Sequence, residues 1–169
     1  MRLLIVIGAC ALATMASAQV RGRPNISVPL PEGRMMLIGG GPAVTSFIGL
    51  DEVRRSGRRI EAVILTLHDP GLAVGDKLAT QAANRVEIDC DRRTSTEIGA
   101  SAYDAQGAEL VSRPAGDPVP LGEGLYGAVA QSLCGGMAGR PGYIVQGRTA
   151  AAKTAKDYRE AAKAAGPQS

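Results

Sequence analysis

One histidine and three cysteines hold most of the chemistry that this 169-residue chain can offer. His68 is followed directly by Asp69, and a histidine beside a carboxylate is the raw material of a general base with its orienting partner. Neighbours on a strand, however, point to opposite faces, so the two do not form the pair that a triad requires. Ser101, Ser112 and Ser132 lack the strand–turn–helix context of a nucleophile elbow. A lone histidine at a strand end therefore reads as structural, and no catalytic residue is assigned. The competing reading is a small periplasmic enzyme using His68 with Asp69 or Asp76, which demands a ligandable cleft around His68. Metal and cofactor sites are not expected: Asp89-Cys90-Asp91 alternates in direction, and Gly39-Gly40-Gly41-Pro42 lacks both the GxGxxG spacing and the Lys-Ser/Thr of a phosphate loop. Asn25-Ile26-Ser27 matches a glycosylation sequon, a pattern too short to carry weight.

The cysteines are more informative, and the first eighteen residues decide how they are read. Arg2 gives a short positive start, Leu3 to Met15 an apolar run, and Ala16-Ser17-Ala18 a small-residue cleavage site before Gln19, which is the plan of a secretory signal peptide. Ile7-Gly8-Ala9-Cys10 resembles a lipoprotein box, but the apolar run continues past the cysteine. A retained anchor would need ~20 apolar residues, more than this run supplies. Cleavage between Ala18 and Gln19 removes Cys10 and leaves Cys90 and Cys134 in an oxidising compartment, where a disulfide is the expected state. Two buried, reduced thiols are the alternative.

Composition narrows the rest. Loss of Arg2 with the leader lowers the formal charge from +3 to +2. With one Phe, four Tyr and no Trp, the chain lacks the clustered basic and aromatic surface of a nucleic-acid binder. Arg54-Arg55 and Arg58-Arg59 read as solvated flanks of turns. The core has to be built from Val, Ile, Leu, Met and Ala, and a modest core of that kind benefits from a covalent staple.

The elements that must position these residues follow from periodicity. Residues 1–18 form the signal peptide and 19–34 an extended lead without packed structure. A single α+β domain spans 35–136, and 137–169 is a Gly/Pro linker followed by an Ala/Lys tail. Met35 to Gly39 and Ala43 to Leu50 read as antiparallel strands joined at the glycines, with one helical turn over Asp51 to Arg55. Arg58 to His68 is the longest apolar strand, unbroken from Ala62 to Leu65 as expected where both faces are covered. Asp69 to Asp76 reads as a loop. In the next strand Val86, Ile88 and Cys90 share one face, so Cys90 points to the core. Thr94 to Tyr103 follows with Thr96, Ile98, Ala100 and Ala102 inward, then an Asp104–Gly107 hairpin and a loop over Val111 to Pro120. Leu121, Leu125, Val129 and Leu133 recur as the stripe of a helix ending at Gly135-Gly136, with Cys134 at its C-terminal end. A strand cysteine and this helix-end cysteine can meet if the helix packs across the sheet. The tail from Thr149 to Ala165 has helix propensity but no face to bury, and reads as a frayed helix, a disordered tail or a partner-binding helix.

Ser46-Phe47-Ile48-Gly49-Leu50-Asp51-Glu52-Val53-Arg54-Arg55-Ser56-Gly57, then Val86-Glu87-Ile88-Asp89-Cys90, Tyr103-Asp104-Ala105-Gln106-Gly107 and a helix closing on Leu133-Cys134 occur in an order that resembles the bacterial surface-adhesin protein E family over about Met35 to Cys134. The resemblance implies an antiparallel sheet with a C-terminal helix packed on one face and tied to it by a disulfide, here Cys90–Cys134. It also implies an exported Gram-negative envelope protein, in the family's best-known member an adhesin for host extracellular-matrix and plasma proteins; the expected location is the periplasm or the outer surface, and the expected partner a protein of the envelope or of a host's extracellular space. The chain lacks the tryptophan and the early-strand aromatics that relatives carry. The expected function is a non-catalytic envelope binding module without cofactor, nucleic-acid partner or membrane span after cleavage. A structural or assembly factor of the envelope is a further alternative, and homo-oligomerisation is left open.

Overall fold

The computed structural model describes residues 22–135 and 143–165. The expected leader, its Ala18/Gln19 cleavage point, Cys10 and the Met137–Gly142 part of the linker lie outside the described residues. Eight strands form one sheet: β1 (Arg34–Gly40), β2 (Val44–Ser56), β3 (Arg59–Val74), β4 (Lys77–Asp89), β5 (Thr94–Tyr103), β6 (Glu109–Arg113), β7 (Val119–Pro120) and β8 (Ile144–Gln146). Two helices, α1 (Leu125–Cys134) and α2 (Gly147–Ala165), complete the α+β fold. The strand order is β6-β5-β4-β3-β2-β1-β8, with β7 alongside the start of β5, and every pairing is antiparallel. No described helix is long and apolar enough to cross a membrane.

β3 is central, and its alternation fills two cores at once. Ile60, Ala62 and Ile64 join Met36, Ile48, Val86 and Ile88 beneath Val129, Ala130 and Leu133 of α1. On the opposite face Leu65 and Leu67 join Met35 and Phe47 beneath Ala151 and Ala155 of α2. Adjacent residues Met35/Met36 and Phe47/Ile48 thus serve different cores, as a side-chain period of two requires. Each fully buried Ile, Leu or Phe contributes about 1.5–3 kcal/mol relative to exposure.

Several local expectations are corrected. Asp51 to Arg55 is not a helical turn: β2 runs on to Ser56, with a register shift between Gly49 and Arg54 that accommodates the charged residues while Arg54 and Arg55 pair with Glu61 and Ile60. Asp69 to Val74 is strand and not loop, because a second shift between Leu67 and Leu72 seats Pro70 where the ladder is interrupted and its missing N–H costs nothing. The turn is confined to the hairpin tip, where Gly75 has φ +61°. In β5 a shift opposite Arg85/Val86 breaks the expected inward row of Thr96, Ile98, Ala100 and Ala102: of these Ala100 is buried, together with Ser95, Ser101 and Tyr103. The Val111–Pro120 loop is shortened by β6 and β7, which pair with the two ends of β5. α1 begins at Leu125, which is 37% exposed, so the buried part of the stripe is Val129 and Leu133, with Ala130 beside them.

The largest correction concerns the two ends. The lead is extended, as expected, but it packs. Ile26 bridges to Arg113, the Val28 amide donates to Ser101 Oγ at 2.9 Å, and Tyr103 donates its hydroxyl proton to the Val28 carbonyl. The Val28 side chain is fully buried with Val63, Ala83 and Tyr103. The tail also buries a face. β8 pairs with β1 through Met35 and Val145, and α2 lays Ala151, Ala155 and Arg159 on the sheet. With partly buried Thr154 and Tyr158 they follow the i, i+3, i+4, i+7, i+8 rule of an amphipathic helix. Alanines carry little hydrophobic signal but let a helix approach Phe47 and Leu65 closely.

Candidate functional site

The disulfide is the covalent feature of the first core. Cys90 follows β4 and packs against the Ile88/Val86/Leu133 cluster; Cys134 is the last residue of α1. Their Cα atoms lie 5.7 Å apart and their sulfurs 2.04 Å apart. The same helix end is secured by a residue read from sequence as a solvated turn flank. Arg55 Nη2 donates to the Leu133 carbonyl at 2.7 Å, satisfying one of the carbonyls that a helix C-terminus leaves without a partner. Arg58 and Arg59 remain surface residues, ion-paired loosely with Asp91, Glu87 and Asp89 at 3.6–3.8 Å.

A polar cluster that periodicity did not reveal sits beneath α1. Glu97 Oε2 accepts from Asn84 Nδ2 at 2.8 Å and from the Tyr126 hydroxyl at 2.9 Å, while Arg113 pairs with Oε1 at 3.2 Å. Burial, reinforced by the Glu97 charge, pushes the Tyr126 hydroxyl well above its ordinary range, so it stays a donor. The signal available in the sequence was Asn84, a polar residue in the same alternating row as Val86 and Ile88; Glu97, brought opposite Val86 by the shift in β5, gave none.

On the opposite side of the sheet, a cleft of about 620 Å³ opens between β3 at Leu67 and His68, β4 at Thr80 and Gln81, the β5–β6 hairpin, Glu32 of the lead and the first turns of α2. His68 lines it, as do Leu67, Gln81, Gln146, Thr149 and Arg159. His68 is half-buried opposite Val44, and burial holds its imidazole below the ordinary value of 6.5. Asp69 turns its carboxylate toward Arg159 Nε, 3.6 Å away, and Asp76 sits at the hairpin tip where Val74 pairs with Lys77. The enzymatic reading asked for a cleft at His68, which exists, and for a base-and-orienter pair, which Asp69 and Asp76 do not supply. Two of the serines are engaged in structure: Ser101 accepts from Val28, and Ser132 donates to the Ala128 carbonyl, while Ser112 lies in β6 opposite Ser101. Gly41 donates to the Val44 carbonyl in a simple strand connection. Among the described residues no group of three or more His, Cys, Asp or Glu is arranged to hold a metal ion.

The lowered His68 value has a sign that can be tested. The unfolded chain takes up the imidazole proton near the ordinary value while the folded chain resists it, so below about pH 6.5 the unfolded state binds more protons and stability falls with pH. The thermal midpoint of wild type is expected to drop more between about pH 7 and 5 than that of His68→Gln. Equal slopes would show that this histidine is not linked to folding.

These features define a class: an antiparallel α+β domain with one helix stapled by a disulfide to one face of its sheet. The fold is similar to that of Haemophilus influenzae protein E. One protein E structure is 15% identical and superposes with a TM-score of 0.50, covering 67% of this chain and 93% of protein E. A second crystal form gives 15% identity and a TM-score of 0.48 over 66% of this chain and 96% of the other. No protein-family model and no curated protein sequence matches the chain.

Proposed function

We propose that this chain is an exported, non-catalytic binding module of the Gram-negative cell envelope, periplasmic or on the outer surface, that engages protein partners in the manner of a surface adhesin. The observation that carries the reading is the Cys90–Cys134 disulfide in a chain whose first eighteen residues have the plan of a signal peptide. Likeness in fold to protein E supports it. Fold alone does not name a ligand. The domain scheme goes with it: a removable leader at 1–18, a lead at 19–34, the stapled unit at 35–136, and the segment from 137 onward, whose helix closes the second face.

Two measurements test the proposal. The mass of the protein recovered from the envelope is expected to begin at Gln19 and to rise by two hydrogens on reduction; a retained leader or free thiols contradicts export. Affinity capture on the purified, oxidised chain, with envelope extract and extracellular-matrix proteins applied separately, then divides the binding readings. Retention of matrix proteins supports adhesion, and retention of envelope proteins alone points to an assembly factor. Loss of an enzymatic activity in folded His68→Ala would replace both.

A further inference from the structure

The cleft that contains His68 has two features that the protein-binding reading does not use. The first is Arg159. Its residue is only 9% exposed, yet Nε and Nη1 are buried without a hydrogen-bond partner. Asp69 stands 3.6 Å from Nε, too far for a hydrogen bond, and is itself largely exposed. A guanidinium has five N–H donors in a fixed fork, and leaving them unfilled in a buried place is costly. Helix side chains lean toward the helix N-terminus, the end of α2 at which the cleft opens, and Arg159 and Ala152 both line it.

The second is the start of α2. Gly147, Arg148 and Thr149 line the same cleft, and this nineteen-residue helix has no acidic residue in its first turn. No carboxylate of its own helix faces its N-terminal partial charge; the Gly147 amide donates to the Gly33 carbonyl at 3.0 Å, and Glu32, which also lines the cleft, is held on Arg148. Arg148 is occupied, donating from Nε to Glu32 Oε1 at 2.7 Å. The remaining unfilled positive group in the lining is Arg159.

We infer that this cleft is a binding site for a small organic carboxylate, gripped by the Arg159 guanidinium at the end of the cleft nearest Asp69, with the first turn of α2 adding its partial charge. A planar carboxylate matches the guanidinium fork with two parallel N–H···O bonds. A doubly charged phosphate fits less well, because Arg148 is neutralised by Glu32 and Asp69 already offsets part of the Arg159 charge. The side-chain amides of Gln81 and Gln146 and the Thr149 hydroxyl favour a ligand that also carries hydroxyl or amino groups, such as a hydroxy acid or an amino acid. Gln81 donates through Nε2 to the Asp104 carbonyl, which fixes the amide and leaves its oxygen as an acceptor. Half-buried and held neutral, His68 offers a further donor or acceptor without adding charge.

The test uses the oxidised chain and thermal shift followed by calorimetry, with a panel of hydroxy acids, amino acids and dicarboxylic acids, and with inorganic phosphate and chloride as separate arms. At least one carboxylate at about 10 mM is expected to raise the midpoint by about 3 °C or more, while phosphate and chloride do not. Arg159→Gln is expected to weaken that binding at least about tenfold, with Arg159→Lys in between, since a point charge replaces the fork. Asp69→Asn removes the competing carboxylate and leaves α2 in place, so it is expected to tighten binding; a purely structural Arg159 would give no such gain. Stabilisation by phosphate equal to that by every carboxylate, silence across the whole panel, or undiminished binding in folded Arg159→Gln each overturns the assignment.

Discussion

Replacing Cys90 and Cys134 together by alanine is expected to destabilise the chain by about 4 kcal/mol, the chain-entropy value for closing a loop whose ends are 44 residues apart. For a domain of this size the thermal midpoint should fall by roughly 8–16 °C. The reason for so large an effect lies in how little else holds α1. The helix has ten residues, begins at a glycine with no side-chain cap, and buries only Val129, Ala130 and Leu133. Helices of this length are marginal on their own, so the staple and the Arg55–Leu133 bond carry much of the attachment. Reduction of the wild-type protein should reproduce the shift in the alanine pair. A fall of less than about 2 °C in both would mean that α1 is held by packing alone.

Phe47→Ala is expected to cost about 3–5 kcal/mol, the usual range for emptying a fully buried aromatic site. Phe47 is the only phenylalanine in the chain and is wholly inaccessible, packed with Met35, Leu65 and Leu67 under Ala151 and Ala155. Alanine methyls are too short to follow the ring inward, so the cavity persists and α2 loses its seat. Limited proteolysis should therefore cut within Gly147–Ala165 sooner in Phe47→Ala than in wild type, while the disulfide-linked face stays resistant. Uniform loss of resistance on both faces would show that the two cores melt as one unit. Denaturant unfolding gives the magnitude, and an unchanged midpoint would contradict the packing described.

How much of this was legible in the sequence depends on which residues carried the signal. The β3 run Ala62–Leu65 and the alternation at Val86, Ile88 and Cys90 are strong apolar patterns, and the central strand and the inward cysteine followed from them, while Cys134 as its partner followed from the leader reading and the α1 stripe. The turns at Gly107 and Asp91-Arg92-Arg93 were announced by their residue types. α2 was not legible as a packed element because its buried stripe is Ala, Thr, Ala, Tyr and Arg, residues that a hydrophobicity pattern does not distinguish from a solvated face. Two strand extensions were hidden by Asp51-Glu52 and Pro70-Gly71, since a register shift lets a ladder continue past residues that would otherwise end it. Of the candidate sites, the staple was readable from alternation plus the expectation of a signal peptide. The Arg159 cleft was not, because it joins β3, the β5–β6 hairpin and α2 across ninety residues of chain, and no local pattern records that meeting.

The packed lead has a mechanical meaning. From the Arg23 ion pair with Asp117 it crosses the sheet by way of Ile26 at Arg113, Val28 over Ser101 and Tyr103, and Pro31 against Gly49, before entering β1 near the other edge. Tension applied at the start of this segment does not reach β1 directly. It meets first the Ile26–Arg113 bridge to β6 and then the buried Val28 with its bonds to Ser101 and Tyr103 of β5. A load entering from the N-terminal side is therefore taken up first at the β6 edge, the end of the strand order away from β1.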